Sequence, residues 1–133
     1  MHFITIFAAA APFIAGVSAS CYTSGASWPS GRGDKAALVA AETACDEMIA
    51  RGPFAVGADV VNEDRKICRP LAGDKTKSID FEIQYTANDS EDVDRALCVK
   101  AFSAEINGCD KGGFHREGVK WWFIADPQAA SCK

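Results

Sequence analysis

The clearest periodicity in the chain runs from Ser78 to Thr86, where Ile79, Phe81, Ile83 and Tyr85 alternate with Asp80, Glu82 and Gln84. A period of two puts the apolar set on one side of a strand and the polar set on the other, as in an antiparallel sheet with one wet face. A different period governs Lys35 to Arg51. This segment is rich in alanine, and Leu38, Ala41, Cys45 and Met48 fall on one helical face. Asp34 is placed to cap that helix and Gly52-Pro53 to end it. Arg32-Gly33-Asp34 therefore reads as a helix start rather than as an integrin-type tripeptide. A second helix is predicted from Ser90, its proposed cap, to about Asn107, with Glu91 and Asp92 favouring its dipole. Val93, Leu97, Ala101 and Ala104 form one stripe of it, Cys98, Phe102 and Cys109 an adjacent one, and Gly108 the C-cap.

The remaining pattern is β. Phe54 to Val61 holds one short strand and Arg65 to Leu71 another, which Pro70 confines to an edge or a strand end. Residues 73–77 make a hairpin-like link. Val119, Trp121 and Phe123 share one face of a final strand that ends at Ile124, while Lys120, Trp122 and Ile124 share the other. Cys21 to Gly33 is a turn-rich lead-in. These elements predict an α+β fold, a small antiparallel sheet of three or four strands with two helices packed on one face. If the lead-in adds a strand, the order becomes β-α-β-β-α-β. That topology sets the end of the first helix beside the start of the second, making Cys45–Cys98 one of many possible bridges.

Composition then adds the compartment. Phe3 to Val17 is apolar apart from Thr5, Pro12 and Gly16, and Val17-Ser18-Ala19 ends in small residues. This is the layout of a secretory signal peptide over residues 1–19, although the segment lacks Lys and Arg. An apolar run of about 15 residues is shorter than the ~20 a spanning helix needs. Residues 20–133 are then one secreted, extracellular domain without a transmembrane segment. All six cysteines (Cys21, Cys45, Cys68, Cys98, Cys109, Cys132) lie within it, an even number that reads as three disulfides. No C-x-x-C pair occurs and His115 is the only histidine in the domain, so neither a zinc site nor any other cofactor is expected. The net charge of −4 argues against a nucleic-acid partner. Asn88-Asp89-Ser90 is a glycosylation sequon.

Candidate chemistry is sparse. His115 sits in a glycine-rich segment with no nucleophile motif nearby, so a histidine-based enzyme is not expected. Asp80 and Glu82 project from one strand face and would serve a carboxylate hydrolase only if set around a sugar bond. Otherwise they form a solvated face. Arg65, Lys66 and Arg69 read as a charged edge strand that resists aggregation. The tryptophans carry more. An exposed indole stacks on the apolar face of a pyranose while polar groups bind its hydroxyls. The candidate glycan-binding set is Trp121, Trp122, Trp28, Asp110, His115 and Asp126, set against a packed role for both C-terminal tryptophans.

Cys21 with Trp28, Cys45 in its alanine-rich helix, Cys68, Cys98 and the block G-C-D-K-G-G…W-W-F-I-A-D-P…C resemble small secreted cysteine-rich fungal proteins of the glycan-binding Y-three-like lectin family. The resemblance spans nearly the whole mature chain. It implies a secreted lectin-like α/β domain without metal, with a glycan or glycoprotein partner in fungal defence or host interaction. Gln128-Ala129-Ala130-Ser131 departs from the Asn-x-Gly that such proteins often carry before the last cysteine, which changes the local turn. The alternative is a small effector or killer-toxin-like protein acting on a host protein or membrane.

Overall fold

The computed structural model describes residues 20–55, 63–87 and 89–133. Residues 1–19, read as a signal peptide, Asn88 and most of the strand expected over 54–61 lie outside the described residues. Two helices, α1 (Lys35–Ile49) and α2 (Arg95–Gly108), cover one face of a five-stranded sheet. The sheet holds β1 (Ser20–Cys21), β3 (Glu63–Leu71), β4 (Asp74–Tyr85), β6 (Gly113–Glu117) and β7 (Trp121–Gln128), in the order β1-β6-β7-β4-β3 with every pair antiparallel. Two short strands, β2 (Phe54–Ala55) and β5 (Ser90–Glu91), pair separately. The fold is α+β, with five strands where three or four were expected.

The first helix starts where its cap predicts. The Asp34 carboxylate accepts from the amides of Ala37 and Ser30, and Gly52 leaves the helical region at φ +91°. Ala37, Ala40, Ala41 and Ala44 are buried, and their small side chains let α1 lie close to its neighbours. The second helix begins later than expected. Asp94 is its cap, accepting from the Leu97 amide at 3.0 Å, while Ser90 and Glu91 pair with Phe54 and Ala55 as strand β5. Its inward face is Cys98, Ala101, Phe102, Glu105 and Ile106, so Ala104 turns partly outward.

The extra strands come from segments read as loops. Gly112 has φ +76°, and a Cβ there would lie 2.3 Å from the Ala125 carbonyl oxygen; one on Gly113 would lie 2.3 Å from that of Ser20. The paired glycines thus turn the chain sharply out of α2 and let β1 reach the edge of β6. Val119, expected in the last strand, is instead exposed in the β6–β7 turn. The β3–β4 link is also tighter than expected, because β4 begins at Asp74.

Three disulfides fasten this arrangement: Cys21–Cys109, Cys45–Cys98 and Cys68–Cys132. The second joins the helices through two fully buried sulfurs, as the β-α-β-β-α-β order suggested. Inward residues of β4 and β7 fill the core, with the Phe81, Phe102 and Phe123 rings in a chain of 4.9 and 5.5 Å contacts. Each such side chain contributes roughly 1.5–3 kcal/mol by leaving water. Among the described residues no helix is long and apolar enough to cross a membrane.

Candidate functional site

Strand alternation gives the sheet a second face, opposite the helices, which no other element among the described residues covers. Cross-strand register places Arg116, Trp122, Gln84 and Asp64 in one row on it. Phe114, Ile124, Glu82 and Lys66 form the next row, and Asp126, Asp80 and Cys68 the one after. All of these are half-buried or exposed, whereas the inward neighbours Phe123, Ala125, Phe81 and Ile83 are fully buried.

An aromatic run crosses this face. Tyr22, whose amide donates to the Gly112 carbonyl, lies 5.9 Å from Phe114, and Phe114 lies 5.9 Å from Trp122. The rings are inclined by 39° and 38°. The Arg116 guanidinium sits 5.3 Å from the Trp122 ring centre, a cation–π contact. Two open clefts flank the end of β7 and meet at Gln128. One, about 500 Å³, lies between the Tyr22–Ala26 segment and Asp126. The other, about 600 Å³, lies between Asp80, Lys66 and the C-terminal tail. The Cys68–Cys132 bridge and the Ser78 hydroxyl, which donates to the Ala130 carbonyl at 2.6 Å, hold that tail in place as a wall.

The face is acidic. Desolvation chiefly, and then the nearby Asp80 carboxylate, raise the Asp126 carboxyl above its ordinary value, with Gln128 and Lys66 opposing. Desolvation and then Glu82 raise Asp64. Desolvation raises the Tyr22 hydroxyl too, helped by Asp126, Glu105 and Glu82. Among the described residues none of Asp64, Asp80, Glu82 or Asp126 is in an ion pair, although Asp46, Glu47, Asp74, Asp89, Glu91 and Asp110 all are.

Of the six predicted glycan residues, the structure places Trp122 and Asp126 on this open face, two rows apart along β7. Trp121 turns inward against Phe54, Tyr85 and Phe123, because the register that turns Trp122 to the open face must bury its neighbour. Trp28 is buried and donates its indole N–H to the Cys109 carbonyl at 2.5 Å, pinning the lead-in to the end of α2. Asp110 is exposed near Trp28 and pairs with Arg32 at 2.8 Å. His115 lies in β6, not in a loop, and is 2 % exposed. Its Nδ1 is 2.9 Å from the Glu105 carboxyl and its Nε2 is 3.2 Å from Glu117. These four residues serve packing and linkage. The basic cluster also divides: Arg65 is buried beneath α1, Arg69 pairs with Glu47, and Lys66 alone reaches the open face.

Tyr22, Phe114 and Gln128 were not among the glycan-binding residues expected from the sequence. Phe114 alternates with His115 and Arg116, but without a strand assignment its face was undefined. Tyr22 reaches the site only through the β1–β6 pairing. Among the described residues no group of three or more His, Cys, Asp or Glu side chains is arranged to hold a metal ion. No protein-family model matches the sequence, and neither does any curated protein.

Proposed function

We propose that this is a secreted glycan-binding domain whose ligand lies across the uncovered sheet face. The aromatic run of Tyr22, Phe114 and Trp122, whose Tyr22 end lines one of two open clefts on the same face, carries this reading. Ring faces held by a rigid sheet stack on the C–H faces of pyranoses at little entropic cost, and the adjoining carboxylates and Gln128 accept from or donate to hydroxyls. Burying that run in a core would be the ordinary solution for three rings, and here one face of the sheet leaves them half-buried. Secretion is part of the same proposal. It rests on the three disulfides, which persist in oxidising compartments, and on the apolar segment of residues 3–17. The resemblance to Y-three-like lectins points the same way.

A glycan array probed with residues 20–133 and with the Trp122→Ala variant tests the reading. Specific glycans should bind the parent protein and be lost from the variant, while both keep the same far-ultraviolet circular dichroism. An array without hits on folded protein, or hits that survive both Trp122→Ala and Tyr22→Ala, would sink it. Toxicity or immune suppression that survives those substitutions would favour the effector reading.

A further inference from the structure

The open face unites a run of aromatic rings with four carboxylates that lack ionic partners, a combination more selective than either part. Carboxylates only accept hydrogen bonds, and a neutral sugar presents donors without charge to balance them. A uronic or sulfated sugar would meet four like charges, which cost affinity. The cations on the face are Lys66, across from Glu82 but not ion-paired with it, and Arg116, which lies over Trp122 and donates to the Val119 carbonyl at 2.9 Å. Lys133 adds one at the tail wall. The strands themselves thus supply four negative side chains to two positive ones. Asp80 and Asp126 stand directly opposite each other on adjacent strands, an arrangement that a bound cation would relieve.

Resting on the glycan reading above, we propose that the ligand is a cationic amino-sugar chain of glucosamine units, such as deacetylated chitin. Its rings stack on Tyr22, Phe114 and Trp122. Its ammonium groups lie over Asp126, Asp80, Glu82 and Asp64, and the two clefts take the chain on either side of Gln128. Arg116 lies 5.3 Å from the Trp122 ring centre and competes with the sugar ring for that face. Binding then needs ionised carboxylates and a protonated amine together, and it weakens as salt screens them.

Isothermal titration of the domain with three oligomers of equal length tests the proposal: glucosamine, N-acetylglucosamine and galacturonic acid. The glucosamine oligomer should bind most tightly and weaken as sodium chloride rises, and the uronic oligomer should not bind. Asp126→Asn and Asp80→Asn should each weaken it by roughly threefold to fivefold, the scale of an exposed charge contact. Arg116→Ala should strengthen it. An oligolysine of the same charge controls for attraction alone, and Trp122→Ala should weaken glucosamine binding but not oligolysine binding. Equal or tighter binding of the acetylated oligomer would overturn the ligand class while leaving the glycan reading intact. Glucosamine binding insensitive to Trp122→Ala would overturn it as mere charge attraction. Absence of binding by any sugar here and on the array would end both.

Discussion

A buried glutamate is the least expected residue in this molecule. Glu105 is fully buried on the inward face of α2, its Oε2 against His115 and its Oε1 without a hydrogen-bond partner among the described residues. Burial pushes its carboxyl well above the ordinary value, the Ala125 amide opposing, and burial chiefly lowers His115, with Glu117 opposing. A neutral glutamic acid beside a neutral imidazole is therefore the favoured pairing. The signs follow. Glu105 stabilises the fold fully below its unfolded value near 4.3 and loses that contribution as pH rises through its elevated folded value. His115 contributes above its unfolded value near 6.5, and its contribution is lost as pH falls through its depressed folded value. Urea unfolding of Glu105→Gln across pH should remove the alkaline-going loss, whose limiting slope is about 1.4 kcal/mol per pH unit for one proton. An unchanged profile would show that Glu105 does not titrate with folding. None of this was legible in the sequence, where Glu105 looks like a helix-surface residue. Only the packing of α2 on β6 turns it toward His115.

At the scale of elements, legibility followed local pattern. The alternation of β4 and the Asp34 cap of α1 are decided within a few neighbouring residues, and both appear where expected. The two ends of the sheet are decided by distant chain. Strand β6 reads G-F-H-R-E and sends a glycine and a histidine inward, so alternation of hydrophobic residues does not mark it. Its place depends on the close approach of Ser20 to Gly113. Arg65 shows the same non-local logic. Its guanidinium donates at 2.7 Å to the carbonyls of Met48, Gly52 and Pro53 and lies 3.8 Å over the Phe54 ring, closing the C-terminus of α1 from strand β3. Met48 lies in the last turn of the helix and Gly52 and Pro53 in the chain that leaves it, and the planar fork serves all three carbonyls at once. Arg65→Lys, which keeps the charge and loses the fork, should cost about 2–3 kcal/mol in chemical denaturation. A loss below about 0.5 kcal/mol would assign the closure of α1 to Gly52 alone. The candidate site was half legible for the same reason. Trp122 lies in the strand expected to end at Ile124, and Asp126 joins it because β7 runs on to Gln128, whereas Tyr22 and the tail wall reach the face through β1 pairing and the Cys68–Cys132 bridge.

Across the whole molecule, the covered and open faces of one sheet are built to opposite rules. Residues facing the helices are apolar or, like Arg65 and His115, hydrogen-bonded, and they supply the stability. The open face sets Asp80 opposite Asp126 and Gln84 beside Asp64, which forgoes the cross-strand charge pairing that a purely structural surface would use. Such a surface should be improvable in stability at the expense of binding. Asp80→Asn removes one member of the opposed pair without changing its shape, so it should raise unfolding free energy near neutral pH by about 0.2–1 kcal/mol, the scale of one cross-strand pair. The pH dependence gives the sign an independent check. Asp126, raised partly by Asp80, contributes stability below its ordinary range and loses it as pH rises through its elevated value, so relieving it should flatten that part of the profile. The exposed, paired Asp46, Asp74 and Asp89 are held low by Arg95, Thr76 and Tyr85 respectively, and they lose their contribution as pH falls. The stability gain from Asp80→Asn should therefore vanish in acid, where Asp126 is protonated and the repulsion is already gone. Thermal or urea unfolding at matched ionic strength would measure both ends. A variant less stable than its parent at neutral pH would mean that Asp80 is held by its surroundings as a structural group, and the open face would then lose its claim to be a surface kept acidic for a ligand.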